Sequence, residues 1–400
     1  MNPISIHEQI QKIRQGAVDL ITEQELEAKL AKGKPLRIKY GADPSAPDLH
    51  LGHTVPLRKL RQFQELGHWV IFIIGDFTAR IGDPSGRSET RPMLSAAEVK
   101  RNAETYQKQV FRMLDPKKTE VHYNSEWLDG MGASHFLDLT SKYTVARLLE
   151  RDDFEKRFRG CQPIALVELL YPLLQGYDSV IIRSDLEIGG TDQKFNLLVG
   201  RELQREWLAE PQVVLTLPLI EGTDGVQKMS KSLANHIALQ DSPKEMYGKV
   251  MSLPDGLMER YYRYVTPLDL KEIEGILSKL KSGELHPRAA KARLAFEIVQ
   301  EYHSEKEAER AALEFDRVFK EKAPPREIET VRIKEKQLNI LTLLKETGLV
   351  PSKMEARRLI SQGGVQLDSK KVDDEALVVD LTKPTIIRCG KRKFVKVQYE

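Results

Sequence analysis

Two short clusters in this sequence carry groups suited to handling a polyphosphate. The first is His50-Leu-Gly-His53, with two imidazoles three residues apart. On a helix that spacing puts both rings on one face, one turn apart. A helix N-terminus adds unpaired N–H groups and the positive end of the dipole, which suit phosphate oxygens. Gly52 leaves room for a flat ring to lie on the backbone. The same spacing would also serve a partial metal site or two packed surface histidines. The second cluster is Lys228-Met229-Ser230-Lys231-Ser232, preceded by Gly222-Thr-Asp-Gly225. Two lysines three apart on a glycine-flanked loop make a clamp for a leaving pyrophosphate, or equally a solvated basic loop.

The surrounding pattern indicates what must position these groups. A strand at Leu36–Tyr40 runs into the turn-rich loop GADPSAPDLHLGH. Leu57, Leu60, Phe63 and Leu66 then recur at helical spacing. Trp69–Ile74 is a continuous apolar run, as in a strand buried on both faces, and it ends in the loop GDFTARIGDPSGR. Ser179–Arg183 and Val213–Leu219 are further strand candidates, with helical stretches between them. This alternation predicts an α/β, Rossmann-like doubly wound parallel sheet over residues 1–240, whose ligand lies at the carboxyl ends of the strands. Ahead of it, Ser5 through Ala31 reads as helical and polar, ending at Gly33 and Pro35. Residues 241–325 read as a charged α-helical domain. The stretch Lys322-Ala-Pro-Pro-Arg-Glu327 is the clearest break, and a linker is placed at 326–336. From 337 to 400, two helical patterns (Gln337–Thr347 and Ser352–Ser361) and alternating strand-like segments predict a small α+β domain.

Bulk composition narrows the class. Of the 400 residues, 40% are hydrophobic and 30% charged, ordinary for a soluble globular chain, and the length predicts two to four domains at roughly 100–200 residues each. No run of 18 apolar residues suggests a membrane span. The N-terminal stretch has no apolar core of a secretory signal. Cys161 and Cys389 have no Cys or His neighbour at zinc-ligand spacing and read as structural thiols of a reducing compartment. A cytoplasmic protein without a dedicated metal site is expected. The net charge of +3 is uneven: residues 331–400 hold 15 Lys and Arg against 9 Asp and Glu, and the remainder holds 47 against 50. A basic tail on a slightly acidic body fits a nucleic-acid-binding module, or else a solvated charged surface.

Taken together, the two clusters are more specific than either alone. They lie about 180 residues apart, at the two ends of one predicted α/β domain. The sequence resembles the class I aminoacyl-tRNA synthetases, whose HIGH and KMSKS signatures read HLGH and KMSKS here. Within that class, GADPSAPDLHLGH and IGDFTARIGDPSGRSETR resemble the bacterial tyrosyl-tRNA synthetases, in the branch that keeps KMSKS. The stretch Tyr171-Pro-Leu-Leu-Gln175-Gly-Tyr177-Asp178 resembles their tyrosine-binding helix, and Gly82-Asp83-Pro-Ser-Gly86 and Gly189-Gly-Thr-Asp192-Gln193 resemble its companion loops. The tail resembles an S4 RNA-binding domain through Gly348-Leu-Val-Pro-Ser-Lys353-Met-Glu-Ala-Arg357-Arg358-Leu-Ile and Gly390-Lys391-Arg392-Lys393-Phe.

What the resemblance implies is specific. His50, His53, Lys228 and Lys231 would stabilise charge moving onto pyrophosphate, and Asp43, Ser45, Gly52, Gly190, Asp192, Met229, Ser230 and Ser232 would hold the nucleotide. Asp83, Tyr171 and Gln175 would receive the substrate ammonium, Gln193 would lie near the reacting carboxylate, and Asp178 would accept the phenolic O–H. Singly, an Asp after Gly is often only a turn residue and Tyr171 could be plain core. The other branch has a Tyr touching the substrate hydroxyl where this chain has Lys39, so that role is not carried over. Lys353, Arg357, Arg358, Lys391, Arg392 and Lys393 would follow an RNA backbone. Implied partners are L-tyrosine, ATP with Mg²⁺ bound through ATP and water, and tRNA(Tyr), handled by a homodimer. A tryptophanyl-tRNA synthetase and a non-catalytic RNA-binding relic are the alternatives.

Overall fold

The computed structural model describes residues 4–44, 48–85, 95–319, 328, 330–390 and 393–400. They form two compact units, Met1–Tyr302 and His303–Glu400.

The first unit is built on a six-stranded sheet: β1 (Asp19–Ile21), β2 (Arg37–Ala42), β3 (Trp69–Ile74), β4 (Thr119–Tyr123), β5 (Leu186–Gly190) and β6 (Val213–Leu217). The order is β1-β6-β5-β2-β3-β4, parallel throughout except for β1, which pairs antiparallel with β6 at the edge. Val70–Ile74 and all of β6 are buried, because helices cover both faces of the sheet. The sheet grows one way from β2 to β3 and β4, and the other way to β5 and β6. The β2–β5 junction is therefore the switch point, where parallel sheets leave a crevice at their carboxyl ends. The loops after β2, β3, β5 and β6 all open there.

Two helices set the crevice's shape. Leu51–Glu65 begins at His50, which serves as its N-cap. Leu166–Ile181 is the most apolar helix of the unit and buries Tyr171, Leu174, Tyr177 and Asp178. It packs against Lys194–Glu206, and the contact needs glycine. A Cβ on Gly176 would lie 3.0 Å from the Gly200 amide nitrogen and 2.8 Å from Leu203, so any side chain would push the two helices apart.

Two expectations are corrected here, and one strand had not been expected. Ser179–Arg183 is not a strand: Ser179 to Ile181 end the buried helix, and the strand is Leu186–Gly190. An apolar run as short as Val180–Ile182 reads the same in either state. The N-terminal helical stretch is split into Ile6–Arg14 and Glu23–Ala31 by edge strand β1, with Gly16 at positive φ in between. Strand β4 has no fully buried residue and no strong periodicity to announce it. After the sheet the first unit continues as the helices Pro243–Met251, Met258–Val265, Leu270–Lys281 and Pro287–Tyr302.

The second unit contains a helix, Glu305–Phe319, and a five-stranded sheet. Its central strand Thr385–Cys389 lies between Val365–Leu367 and Lys393–Tyr399, and Thr330–Ile333 adds a parallel edge. Helices Ile340–Glu346 and Lys353–Ser361 pack on it through Leu343, Leu344, Ala356 and Ile360.

Candidate active site

The crevice is a half-open cleft of about 460 Å³ lined by His50, His53, Asp83, Tyr171, Gln175, Asp178, Gly190, Asp192, Gln193 and Lys228 to Ser232, among others. Every described residue expected to bind nucleotide or amino acid lines it. Ser45, Lys391 and Arg392 lie outside the described residues.

At the cleft's polyphosphate end the histidines are held by their own helix. The Gly52 amide donates to His50 Nδ1 (3.2 Å), and the His50 amide donates to His53 Nδ1 (3.2 Å). With both Nδ1 atoms accepting, each ring carries its proton on Nε2, a donor left for an incoming oxygen. Burial first, then the neighbouring histidines and Lys231, push His50 far below the ordinary imidazole range, and burial with Lys231 pushes His53 down to about 4. Both are neutral hydrogen-bond donors at neutral pH. Among the described residues no group of three or more His, Cys, Asp or Glu could hold a metal ion.

The KMSKS loop is fastened beside them. Backbone bonds from Leu51 to Ile237 O and from Leu239 to Leu49 O tie the segment after the loop to the start of the histidine helix. Buried Asn235 is the loop's hub. It accepts from the Ser230 amide (2.8 Å) and donates to Asp224 (2.8 Å) and the Lys228 carbonyl (3.2 Å). Lys228 pairs with Asp192 (3.0 Å) and Lys231 with Asp48 (3.5 Å). Both ammonium groups are thus held over the cleft by carboxylates that an anion can replace. Ser230 and Ser232 are hydrogen-bonded to each other (2.8 Å).

The other end is a carboxylate-rich slot. Tyr171 donates its hydroxyl to Asp43 (2.9 Å), which also accepts from Thr78 (2.7 Å). Asp43 sits there because β2 ends against Gly75, where a Cβ would lie 2.1 Å from its carboxylate. Asp83 accepts from Gln193 (2.7 Å) and the Ser85 amide (2.8 Å). Asn196 donates to both Gln175 (3.1 Å) and Gln193 (3.2 Å). Deeper in, Asp178 is 3% exposed and accepts from the Trp127 indole (2.9 Å) and Asn124 (3.4 Å). Burial raises its carboxyl to about 7 against the opposing pull of Lys39, Trp127 and Asn124. Lys39 does not line the cleft. Its ammonium is turned to Glu187, Ser179 and the Gln175 carbonyl.

Comparisons with known proteins decide the family. Residues 31–320 match the family described as tRNA synthetases class I (W and Y), and residues 320–397 the tyrosine–tRNA ligase SYY-like C-terminal domain. The tyrosine–tRNA ligase of Thermotoga maritima is 54% identical over 390 residues, covering 98% of this chain and 97% of that protein. That of Moorella thermoacetica is 52% identical over 393 residues, covering 97% and 95%. The chain belongs to the tyrosine–tRNA ligases. The tryptophan-specific alternative is thereby set aside. The fold of the ligase is shared with the tyrosyl-tRNA synthetase of Archaeoglobus fulgidus solved with L-tyrosine, at a TM-score of 0.63 and 23% identity, covering 77% of this chain and all of that one.

Several side chains that shape the site of this ligase were not singled out in the sequence. Asp48, Thr78, Asn124, Trp127, Asn196 and Asn235 carry no motif of their own. Asp48, inside APDLHLGH, and Thr78, inside IGDFTARIGDPSGRSETR, lay within segments that carry the resemblance. In the second unit, Lys353, Arg357 and Arg358 are exposed on one helix. Arg357 is paired with Glu375 and Arg358 with Glu355. Lys393 donates to the Leu349 carbonyl (3.0 Å).

Proposed function

We propose that the cleft joins tyrosine to ATP and then passes it to tRNA, with the residue roles that follow. The observation that carries this reading is the cleft's polarity: neutral imidazole donors and two lysines at one end, and a slot with Asp83, Tyr171 and buried Asp178 at the other. Asp83 and the Tyr171 oxygen, whose proton is committed to Asp43, accept from the substrate ammonium, together with Gln175. Asp178 accepts the phenolic O–H. The tyrosine carboxylate oxygen, near Gln193, attacks the α-phosphorus of ATP, and the bond to the β-phosphate oxygen breaks. His50, His53, Lys228 and Lys231 meet the charge that moves onto pyrophosphate. Asp43, Gly52, Gly190, Asp192, Met229, Ser230 and Ser232 hold the nucleotide. Magnesium enters with ATP as part of the substrate. A ribose hydroxyl of the tRNA 3′ end then attacks the acyl carbon, and AMP leaves. No covalent enzyme intermediate is needed; positioning and electrostatics suffice.

The second unit serves as the RNA-binding module, Arg357 and Arg358 exchanging Glu375 and Glu355 for phosphates and Lys353 adding a third cation on the same helix. Lys353 occupies the first turn of its helix, where a cation opposes the helix dipole, a placement that suits anion binding better than helix stability. We also place the enzyme in the cytoplasm as a homodimer. The support for self-association is the family resemblance, together with apolar side chains exposed between residues 137 and 166: Leu137, Val145, Phe158 and Leu166. No described helix is long and apolar enough to cross a membrane.

The direct test is ATP–pyrophosphate exchange with each of the twenty amino acids. Tyrosine alone should support it at low concentration. Exchange driven best by another amino acid would overturn the assignment of the slot.

Two further results are expected of Asp178. The carboxylate form is the phenol acceptor, and it is lost as pH falls through about 7. The kcat/KM for tyrosine in exchange, which reports the free enzyme, should therefore drop on the acid side with a midpoint near that value. Asp178→Asn should flatten that limb. Discrimination of tyrosine from phenylalanine should fall in the order wild type, Asp178→Asn, Asp178→Ala. Phenylalanine leaves a desolvated acceptor unpaired only while that acceptor exists, a defect of roughly 1–3 kcal/mol or more. If Asp178→Ala discriminates as wild type does, the phenol is read elsewhere.

A further inference from the structure

We propose that the buried pair Lys39–Glu187 is a positioning device for the amino-acid slot, fixing which end of the Gln175 amide faces the substrate ammonium. The inference deepens the reading just given, since it rests on Gln175 receiving that ammonium.

Lys39 and Glu187 are cross-strand partners on the parallel strands β2 and β5, at the switch point itself. Both side chains are sealed off, at 0% and 1% exposure. The ammonium has three protons and three partners: Glu187 (2.8 Å), the Gln175 carbonyl (2.7 Å) and Ser179 Oγ (2.7 Å). Glu187 also accepts from Ser179 (3.0 Å), from Gln212 and from the side-chain amide of Gln175 (3.4 Å). A buried ion pair of this kind seldom stabilises a fold more than apolar residues of equal volume. What it supplies here is direction. An ionised carboxylate only accepts, so Gln175 must turn its NH₂ toward Glu187. Its Oε1 is left on the other side, where Asn196 donates to it (3.1 Å) and where the amide lines the cleft. An ammonium has donors only and needs that oxygen. With the amide reversed, it would meet an NH₂ group.

Lys39 is the second half of the device. A buried carboxylate needs a cation beside it to offset its lost hydration, and the Lys39 ammonium is that cation. Lys39 also holds the main chain of Gln175 directly. Its charge acts as well on Asp178, the other reader on the same helix, whose charged and titratable neighbours are Lys39, Glu187 and Tyr171.

The test measures equilibrium affinity for L-tyrosine and for 3-(4-hydroxyphenyl)propanoate, which keeps the phenol and the carboxylate and lacks the amine. The variants are Glu187→Gln, the charge-free double Lys39→Met/Glu187→Gln, and Gln175→Ala as the reference for loss of the ammonium contact. Glu187→Gln alone leaves a buried cation, so the double variant guards against a folding defect, and thermal melting accompanies both. A glutamine at 187 can donate or accept and so no longer selects one amide orientation. The affinity advantage of tyrosine over the analogue should shrink about tenfold in the double variant, on the scale of one charged hydrogen bond, with analogue affinity unchanged. A merely structural role would weaken both ligands together. The proposal is overturned if the double variant keeps the wild-type ratio while Gln175→Ala lowers it. If Gln175→Ala leaves the ratio unchanged, the ammonium role of Gln175 is itself wrong, and the proposal falls with it.

Discussion

Replacing Lys231 by alanine should slow adenylate formation by about 10²–10³-fold while leaving tyrosine affinity nearly unchanged. The size follows from removal of one preorganised donor aimed at charge that appears only in the transition state. In the free enzyme Lys231 rests 3.5 Å from Asp48. Half-burial lowers its pKa and Asp48 opposes that shift. This contact is long for an ion pair, so an oxygen of departing pyrophosphate can displace it. None of the tyrosine-slot hydrogen bonds involves Lys231, so a ground-state effect on tyrosine has no route. Rapid-quench measurement of adenylate formation, with tyrosine affinity taken separately, separates the two. A large loss of tyrosine binding at an unchanged rate would show that the lysine is part of the slot. Lys228→Ala should behave alike, with one difference. It also frees Asp192, a proposed nucleotide ligand 3.0 Å away, so ATP affinity should change as well.

Ending the chain after Phe319 should leave tyrosine-dependent pyrophosphate exchange largely intact and reduce aminoacylation by about 10²-fold or more at physiological salt, as expected when several phosphate contacts are lost together. The cut has to fall before Thr330. Strand Thr330–Ile333 pairs in parallel with Lys393–Tyr399, and a later cut would leave an unpaired edge strand on the truncated enzyme. Every residue that lines the cleft lies before residue 233, and removing the tail touches none of them. The residual tRNA binding should also depend less on salt, its log–log slope shallower by roughly 0.7–0.9 per phosphate contact removed. Substituting Lys353, Arg357 and Arg358 together in the full chain should reproduce part of that change in slope. A truncated enzyme that charges tRNA at the full rate would take the RNA-binding role away from the second unit.

The parts of this protein legible in the sequence are those made by neighbours in the chain. HLGH works through one helix end: His50 caps it, and Gly52 and His53 complete the bonds within three residues. KMSKS is a single loop. The strand Trp69–Ile74 announces itself because a strand covered on both faces is apolar without interruption. Family resemblance extended this to the slot residues, and the cleft brings the described ones together.

Other features were decided only by tertiary structure. Whether Ser179–Arg183 was strand or helix depended on what surrounds it, since so short an apolar run shows no clear period. The partners of the slot residues come from distant crossovers: Trp127 reaches Asp178 across 51 positions, Gln193 reaches Asp83 across 110, and Lys39 reaches Ser179 across 140. No local pattern encodes such pairs. Lys39 shows the difference most clearly. In the sequence it is an odd cation where a substrate contact was in question. In the fold, the strand's alternation turns it toward the helix Leu166–Ile181 and away from the cleft, and β2 and β5 set it beside Glu187, whose carboxylate compensates its charge. Chemistry carried by one helix end or one loop is written locally, whereas the orientation of each pocket side chain is set by elements that become neighbours only once the sheet has formed.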